Sequence, residues 1–451
     1  MRKSVLTACV LVALSSPAFA AAPAKKPTLA ALAARIEALE ADAKQLREQA
    51  ASALAAAESA RAELDAMKAQ QQETASSTPA AQPEVAAESA PGASSNPNAF
   101  NPAISVILNG SYEHHSLDPA GYVRSGFPAV GGAGPGGQGI SLGESEMSLA
   151  ANIDEKFYGQ FTTSIESEHG EDHLAIEEAY IDTTTLPNGF NLRVGRFFSG
   201  IGYLNGHHAH TDNFFDRPLA YQSFLGGQYG DDGVQLRWLA PTDTYLEFGG
   251  ELFAGNPYPS GGAQNGGIGT RTLFAHAGGD VGIENSWLAG VSLLKTKTVG
   301  GEDGFSGDNT LYIADATWKW APNGNTKDGG WTLRGEYFVD DRNGVVADAS
   351  DPTLLTPWNG RRRGGYFEAV YRFNRTWDAG YRYDKLWAAN SGPFASDHDP
   401  VRNSFTVTWH NSEFSLVRLM FSRDEPNALD IDNALYLQYQ ISMGAHGAHK
   451  F

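Results

Sequence analysis

Histidine and carboxylate side chains are concentrated in one glycine- and aromatic-rich segment, residues 200–232. Within it the run HHAHTD brings together three imidazoles and a carboxylate, and the nearby run EHGEDH at 168–173 adds two more histidines. Imidazole combined with carboxylate is a donor set suited to zinc and related ions. The sequence therefore predicts a zinc or related metal site, with histidines that hold no metal as the alternative. The candidate ligands are His207, His208, His210, Asp212, His169 and His173.

Residues 100–451 are predicted to form strands that hold these groups in place. Sixteen segments alternate apolar and polar residues, most clearly where Phe405, Val407 and Trp409 oppose Thr406 and Thr408. A period of two over about ten residues is typical of tilted strands with lipid on one face and water on the other. The sixteen predicted strands are 104–115, 142–153, 156–168, 173–184, 189–199, 233–240, 244–254, 271–283, 286–298, 309–320, 331–340, 364–373, 376–387, 402–410, 414–423 and 432–443.

The gaps between these segments alternate between long and short, as in outer-membrane β-barrels with long extracellular loops and short periplasmic turns. Residues 116–141, 200–232 and 341–363 are long gaps, whereas 154–155 and 374–375 are short ones. In a soluble β-sandwich nothing requires long and short loops to alternate along the chain. We therefore predict an all-β fold, a transmembrane antiparallel up-and-down barrel of about 16 strands. Its third extracellular loop is expected to fold inward. We do not expect an enzyme, because Ser, His and Asp residues show no spacing typical of a nucleophile and its base beyond what the composition would give by chance.

The N-terminal 99 residues have a different character. Residues 1–20 have the basic start, apolar core and small-residue cleavage site of a secretory signal peptide. Residues 28–70 repeat apolar or small residues at heptad spacing, which predicts a periplasmic α-helical coiled coil, with a single Ala-rich helix as the alternative. Residues 71–99 are rich in Ala, Ser and Pro, typical of a flexible linker. A homotrimer is expected, and the arm could tether the outer membrane to the cell wall.

The chain is acidic, with 52 Asp and Glu against 33 Lys and Arg and a net charge of −19. This balance gives no support for nucleic acid binding, and it favours passage of cations through a lumen lined by carboxylates. Charged residues on the polar faces of predicted strands are expected to line the pore, because charge facing lipid is costly. They are Arg237, Glu247, Arg334, Glu336, Glu368, Arg372, Arg382, Asp384 and Arg418.

Three stretches carry resemblances to known proteins. The sequence EEAYIDTTTLPNGFNLRVGRFFSGIGY is similar to phosphate-selective-porin-like barrels. The sequences GRFFSGIGYLN, FLGGQYGDDGVQLRWLAPTD and SMGAHGAHKF, with the histidine run, resemble proteobacterial proteins labelled zinc-regulated TonB-dependent outer-membrane receptors. The terminal Phe451 resembles the signal by which the barrel assembly machinery recognises its substrates. The receptor label implies control by zinc and metal uptake.

Two features of the sequence depart from these families. Receptors of the TonB-dependent class need about 22 strands around a plugged lumen, and an anion-selective pore should be basic. The expected function is therefore a porin-like outer-membrane channel for passive passage of small solutes, cation-preferring and linked to zinc or other metals. The alternatives are a TonB-dependent-type metal receptor and a cell-wall tether.

Overall fold

The computed structural model describes Lys44 and residues 102–131, 133–168, 171–261, 267–348 and 350–444. Apart from Lys44, the predicted signal peptide, coiled coil and linker lie outside the described residues, as do His169 and Phe451. No helix in the described ranges has the length and apolar character needed to cross a membrane.

Strands dominate the described residues from Ala103 to Gly444, and most begin where the alternating pattern of the sequence begins. In chain order seventeen strands occur within the described ranges: β1 (Ala103–His115), β2 (Gly139–Leu142), β3 (Ser145–Asn152), β4 (Phe157–Glu168), β5 (Glu171–Thr183), β6 (Phe190–Phe198), β7 (Gly230–Leu239), β8 (Tyr245–Phe253), β9 (Thr270–Val281), β10 (Asn285–Thr298), β11 (Phe305–Trp320), β12 (Gly330–Ala347), β13 (Leu355–Arg372), β14 (Trp377–Trp387), β15 (Val401–Ser412), β16 (Ser415–Glu425) and β17 (Asp432–Gly444).

The strands close into a ring. From β3 onward each strand pairs antiparallel with the next, and β17 pairs with β1 in a register from Ser105–Gly444 to His115–Ala434. Both β2 and β3 pair with β1, so these two short strands share one place in the wall. Within the described residues the barrel therefore has sixteen strand positions, which confirms the predicted closed antiparallel barrel.

The two faces of the wall differ as the alternation predicts. On β17, Leu435, Leu437 and Tyr439 are exposed on the outside, whereas Tyr436 and Gln438 are buried on the inside. A band of apolar side chains around a polar interior is the arrangement that lipid requires of a transmembrane barrel. The short turns lie at the end where β1 begins and β17 ends, called here the short-turn end. The longer connections lie at the opposite, long-loop end.

One predicted loop is wrong. Residues 341–363 were expected to be a loop, but β12 continues to Ala347 and β13 begins at Leu355, so only 348–354 connect them. Cross-strand charge pairs stabilise the extension, because Arg361 binds Asp341 and Arg362 binds Asp340 at 3.0 Å. These charges interrupt the apolar–polar alternation without interrupting the strands.

The segment between β6 and β7, residues 199–229 and called loop 3 below, folds into the barrel as expected. It contains a helix that the sequence did not predict, α1 (Leu219–Leu225), and every side chain of α1 is buried. Leu219, Phe224 and Leu225 pack with Phe338 of β12 and Leu386 of β14. An apolar core therefore lies inside the barrel, toward its long-loop end.

A charge placed on the outer face of the barrel should reduce its stability. Leu437 is 44% exposed on that face, and an Arg facing lipid near the middle of the membrane costs about 2–4 kcal/mol. We expect Leu437→Arg to lower the free energy of unfolding by that amount, measured by denaturant titration in lipid bilayers. Ser442→Arg is the control because Ser442 borders an internal cavity. An equal loss for both variants would contradict the assigned faces.

Candidate functional site inside the barrel

Buried carboxylates of the wall hold the backbone of loop 3. Glu336 on β12 accepts hydrogen bonds from the backbone N–H of Tyr203 at 3.0 Å and of Leu204 at 3.1 Å. It also accepts from the hydroxyls of Tyr221 and Tyr366, the latter at 2.7 Å. A buried carboxylate requires such donors because desolvation is otherwise costly. Glu336 therefore fixes the entry of loop 3 into the lumen.

The close approach of loop 3 to Glu336 depends on a glycine. Gly202 has φ +63°, and a Cβ there would lie 2.5 Å from the Glu336 carboxylate and 2.8 Å from the Tyr221 hydroxyl. Glycine takes this left-handed conformation and leaves room for both polar groups. The GIGY motif in the sequence thus contains a residue on which the inward fold depends.

Arginines of the wall bind the middle of loop 3. Arg382 on β14 donates to the Asp216 carboxylate at 2.6 Å, and Arg402 on β15 pairs with the same carboxylate. Arg418 on β16 donates to the backbone carbonyl of Asp212 at 2.6 Å. Charge-assisted bonds of this kind are stronger than neutral ones, so loop 3 is bound to several neighbouring strands.

A single turn of loop 3 presents the two histidines that cluster with carboxylates. Residues Ala209–Thr211 form a 3₁₀ turn, closed by hydrogen bonds from Thr211 to the carbonyl of His208. The turn brings the rings of His208 and His210 to a centroid separation of 5.6 Å with 26° between their planes. Both rings therefore face the same part of the wall.

Three carboxylates of the wall meet these rings. Glu146 on β3 lies 3.1 Å from Nδ1 of His208 through one oxygen and 2.8 Å from Nδ1 of His210 through the other. Glu177 and Glu178 on β5 bind opposite sides of the His208 ring, at 3.2 Å from Nδ1 and 3.0 Å from Nε2. We call Glu146, Glu177, Glu178, His208 and His210 the histidine–carboxylate cluster.

A β-bulge explains why two adjacent glutamates reach one histidine. Thr162 pairs with Glu178 and Thr163 with Ile176, so Glu177 is an extra residue in β5. Before the bulge Ile176 is exposed on the outer face, and after it Glu178 is buried on the inner face. Because a bulge shifts the alternation of a strand by one residue, Glu177 also lies beside the lumen.

The carboxylates determine the charge of His208. Burial alone would lower the pKa of its imidazole, but the hydrogen bonds to Glu146, Glu177 and Glu178 outweigh burial and raise this pKa well above its usual value. The carboxylates therefore stabilise a positive charge at this position in loop 3. A metal cation would meet the same negative surroundings.

Internal cavities adjoin the cluster. One of about 1050 Å³ is bordered by Glu146, Glu178, His208 and His210 and extends toward the short-turn end. Another, of about 520 Å³, lies along β11–β17 and is bordered by the same part of loop 3, including His210. Solutes within the short-turn half of the barrel therefore have access to the cluster.

The candidate ligands predicted from sequence do not all join the cluster. His207 binds the carbonyl of Tyr203 through Nδ1 at 2.7 Å and stacks on its ring, and Asp212 pairs with Arg217 at 3.0 Å. The backbone of His173 pairs with Glu166 on β4. The sequence did not single out Glu146, Glu177 and Glu178, because any polar residue on the inner face of a strand gives the same alternating pattern. The two adjacent glutamates at 177–178 break the alternation of the strand, and this break was the signal that could have predicted a bulge.

The nine charged residues predicted to line the pore fall into two groups. Arg237, Glu247, Arg334, Arg372 and Arg418 border the cavities. The others are buried in contacts that hold loop 3 or its neighbours, as Arg418 also is. They therefore support loop 3 rather than line an open surface. They are Glu336, Glu368, Arg382 and Asp384. Their role in conduction stays a prediction.

No family model matches the chain. An uncharacterized protein of Aquifex aeolicus strain VF5 is 27% identical over 392 residues, covering 78% of this chain and 80% of that protein. Since that relative is itself uncharacterized, the likeness carries no activity to this chain.

Solved structures of outer-membrane proteins share the fold. A loop L8 deletion mutant of OmpT of Vibrio cholerae is 14% identical, with a TM-score of 0.50 over 76% of this chain and 99% of that one. The outer membrane channel DcaP of Acinetobacter baumannii is 11% identical, with a TM-score of 0.51 over 76% and 97% of the two chains. Salmonella typhi OmpF in complex with daunomycin is 13% identical, with a TM-score of 0.51 over 76% of this chain and 99% of that one. These likenesses show a porin-like barrel fold, and they do not support the TonB-dependent receptor label.

Removing the charge of Glu336 should loosen loop 3. The amide of Glu336→Gln offers a donor where backbone N–H groups need an acceptor, and a buried group left unsatisfied costs about 1–3 kcal/mol. We expect faster hydrogen–deuterium exchange in residues 199–229 and unchanged exchange in β1 and β17. Glu155→Gln, at an exposed turn, serves as the control. Unchanged exchange in loop 3 would show that this carboxylate does not hold it.

Proposed function

We propose that this protein is a porin-like outer-membrane channel for passive passage of small solutes. The observation that carries the proposal is loop 3, which folds into a barrel with a polar, charged inner face and borders both cavities. A barrel of sixteen or more strands is wide enough for an aqueous channel. The inward segment then sets which solutes pass.

The width of the pathway depends on how loop 3 is held. Its apolar core occupies the long-loop half of the lumen, while the cavities occupy the short-turn half. Loop 3 is tied to the wall by groups on β8, β12, β14, β15 and β16. Displacement of this segment, rather than of the wall, is the motion that would widen the pathway.

We propose a preference for cations. The larger cavity is bordered by four carboxylates, those of Glu146, Glu178, Glu247 and Asp280, and by two arginines. Arg193 pairs with Asp182 at 2.8 Å, and Arg237 lies 3.7 Å from Glu247. Carboxylates around a narrow aqueous path favour positive ions. The acidic balance of the whole chain supports the same preference.

The link to zinc and metal uptake, implied by the resemblance, is part of the proposal and is supported by His208 and His210 beside carboxylates. Passive passage is preferred to energised uptake because energised receptors use about 22 strands around a plug. The trimer, the contact with the assembly machinery and the tether to the cell wall stay predictions, since the arm lies outside the described residues.

Shortening loop 3 should enlarge the channel. We expect step-like currents from the wild-type protein in planar bilayers and severalfold larger steps when residues 203–225 are replaced by a short Gly-Ser linker. The matched control shortens the connection between β12 and β13 at 350–353, where every residue is exposed. Heat-modifiable migration in gels checks that each variant folds. A wild-type protein that gives no steps would refute the channel.

Ion selectivity tests the role of the cavity carboxylates. Under a salt gradient the wild-type reversal potential should have the sign of a cation-preferring channel, and Glu247→Gln should shift it toward zero because it removes a charge bordering the larger cavity. Glu155→Gln should leave it unchanged because that residue lies at an exposed turn. A wild-type potential of the opposite sign would contradict the cation preference while leaving the channel intact.

A further inference from the structure

We infer that the histidine–carboxylate cluster binds one borderline divalent cation, of the zinc class, between loop 3 and the wall. This inference rests on the proposed function only for the route by which the ion arrives. Donor atoms of Glu146, His208 and His210 all lie within 4.8 Å of one another. The set differs from the one predicted from sequence, since it replaces His207 and Asp212 with glutamates of the wall.

The spacing of the donors suits such an ion. Two ligands about 2.0–2.1 Å from a tetrahedral metal lie about 3.4 Å apart. Nδ1 of His208 is 3.1 Å from Glu146 and 3.2 Å from Glu177, and Nδ1 of His210 is 2.8 Å from Glu146. A metal replacing the shared protons therefore requires these groups to separate by a few tenths of an ångström. Glu146 and the two Nδ1 atoms then supply three ligands, and Glu177 lies beside them, 3.2 Å from Nδ1 of His208.

Glu178 lies where it can orient the His208 ring for metal binding. Metal-bound histidines usually donate their second ring N–H to a carboxylate, which fixes the ring and makes it a stronger ligand. Nε2 of His208 lies 3.0 Å from the Glu178 carboxylate, on the side of the ring away from Nδ1. The rings of Phe198 and His208 also lie edge to face, with centroids 5.2 Å apart. The ring is thus positioned with Nδ1 toward Glu146.

The donor types select the class of metal. Two imidazoles and carboxylates suit Zn²⁺ and Co²⁺, whereas Ca²⁺ and Mg²⁺ prefer six or more oxygen donors. The cluster is partly buried but borders the 1050 Å³ cavity, so an ion can enter it from the short-turn half. A bound metal would join loop 3 to β3 and β5.

Titration calorimetry on the folded full-length protein tests the site, with Zn²⁺, Co²⁺, Ca²⁺ and Mg²⁺ as separate probes. We expect one Zn²⁺ per chain, visible Co²⁺ absorption of a tetrahedral site, and no binding of Ca²⁺ or Mg²⁺. His208→Gln and His210→Gln should each abolish this binding. Glu178→Gln should weaken it by about 10- to 100-fold, as lost outer-shell partners do. Heat-modifiable migration confirms that each variant is folded.

Two controls separate this site from other histidines. His410→Gln removes a histidine paired with Asp378 beside the other cavity, and His446→Gln/His449→Gln removes those of the C-terminal tail. Both variants should still bind one Zn²⁺ per chain. Zinc binding that persists in His208→Gln and His210→Gln, or is lost with the tail variant, would overturn the inference. Conductance measured on the same preparations distinguishes the zinc site from the channel. Current steps without zinc binding would refute the site alone, and zinc binding without current steps would refute the channel alone.

Discussion

Closure of the wall by pairing of β1 with β17 is the constraint on which the remaining structure depends. Lipid offers no partner for backbone N–H and C=O groups, so a sheet that crosses it must have no open edge. The continuous register from Ser105–Gly444 to His115–Ala434 satisfies that requirement. Once the ring is closed, alternate side chains must face inward, and an acidic, glycine-rich sequence becomes compatible with a membrane.

Closure creates a second requirement, because charges that face inward are partly desolvated and need partners. Loop 3 supplies many of them. Glu336 and Asp384 receive backbone N–H groups of loop 3, while Arg382 and Arg418 bind its carboxylate and carbonyl oxygens. Removing one member of such a buried pair is costly. The wall and the constriction are therefore mutually dependent, since each satisfies polar groups that the other leaves buried.

The wall could be predicted from the sequence because a period of two and alternating gap lengths are local signals. All sixteen predicted segments coincide with strand positions among the described residues, and loop 3 folds inward as its composition suggested. The candidate site was predicted only in part. His208 and His210 were found because they are close in sequence, but their partners Glu146 and Glu178 come from strands that only the closed wall brings near. The helix α1 was missed because it has only seven residues, all of them buried, so its sequence shows no amphipathic helical periodicity.

The bulge at Glu177 links the wall to the chemistry of the lumen. In a regular strand Ile176 and Glu178 would share a face, so either an apolar residue would enter the lumen or a carboxylate would meet lipid. The extra residue resolves this conflict and leaves two adjacent glutamates beside His208. Other described contacts hold loop 3 through arginines, whose charge is permanent, or through backbone, hydroxyl and amide groups that donate to carboxylates of the wall. At this corner the contacts to the wall come from two imidazoles, so the proposed metal would bind at the point where loop 3 meets β3 and β5.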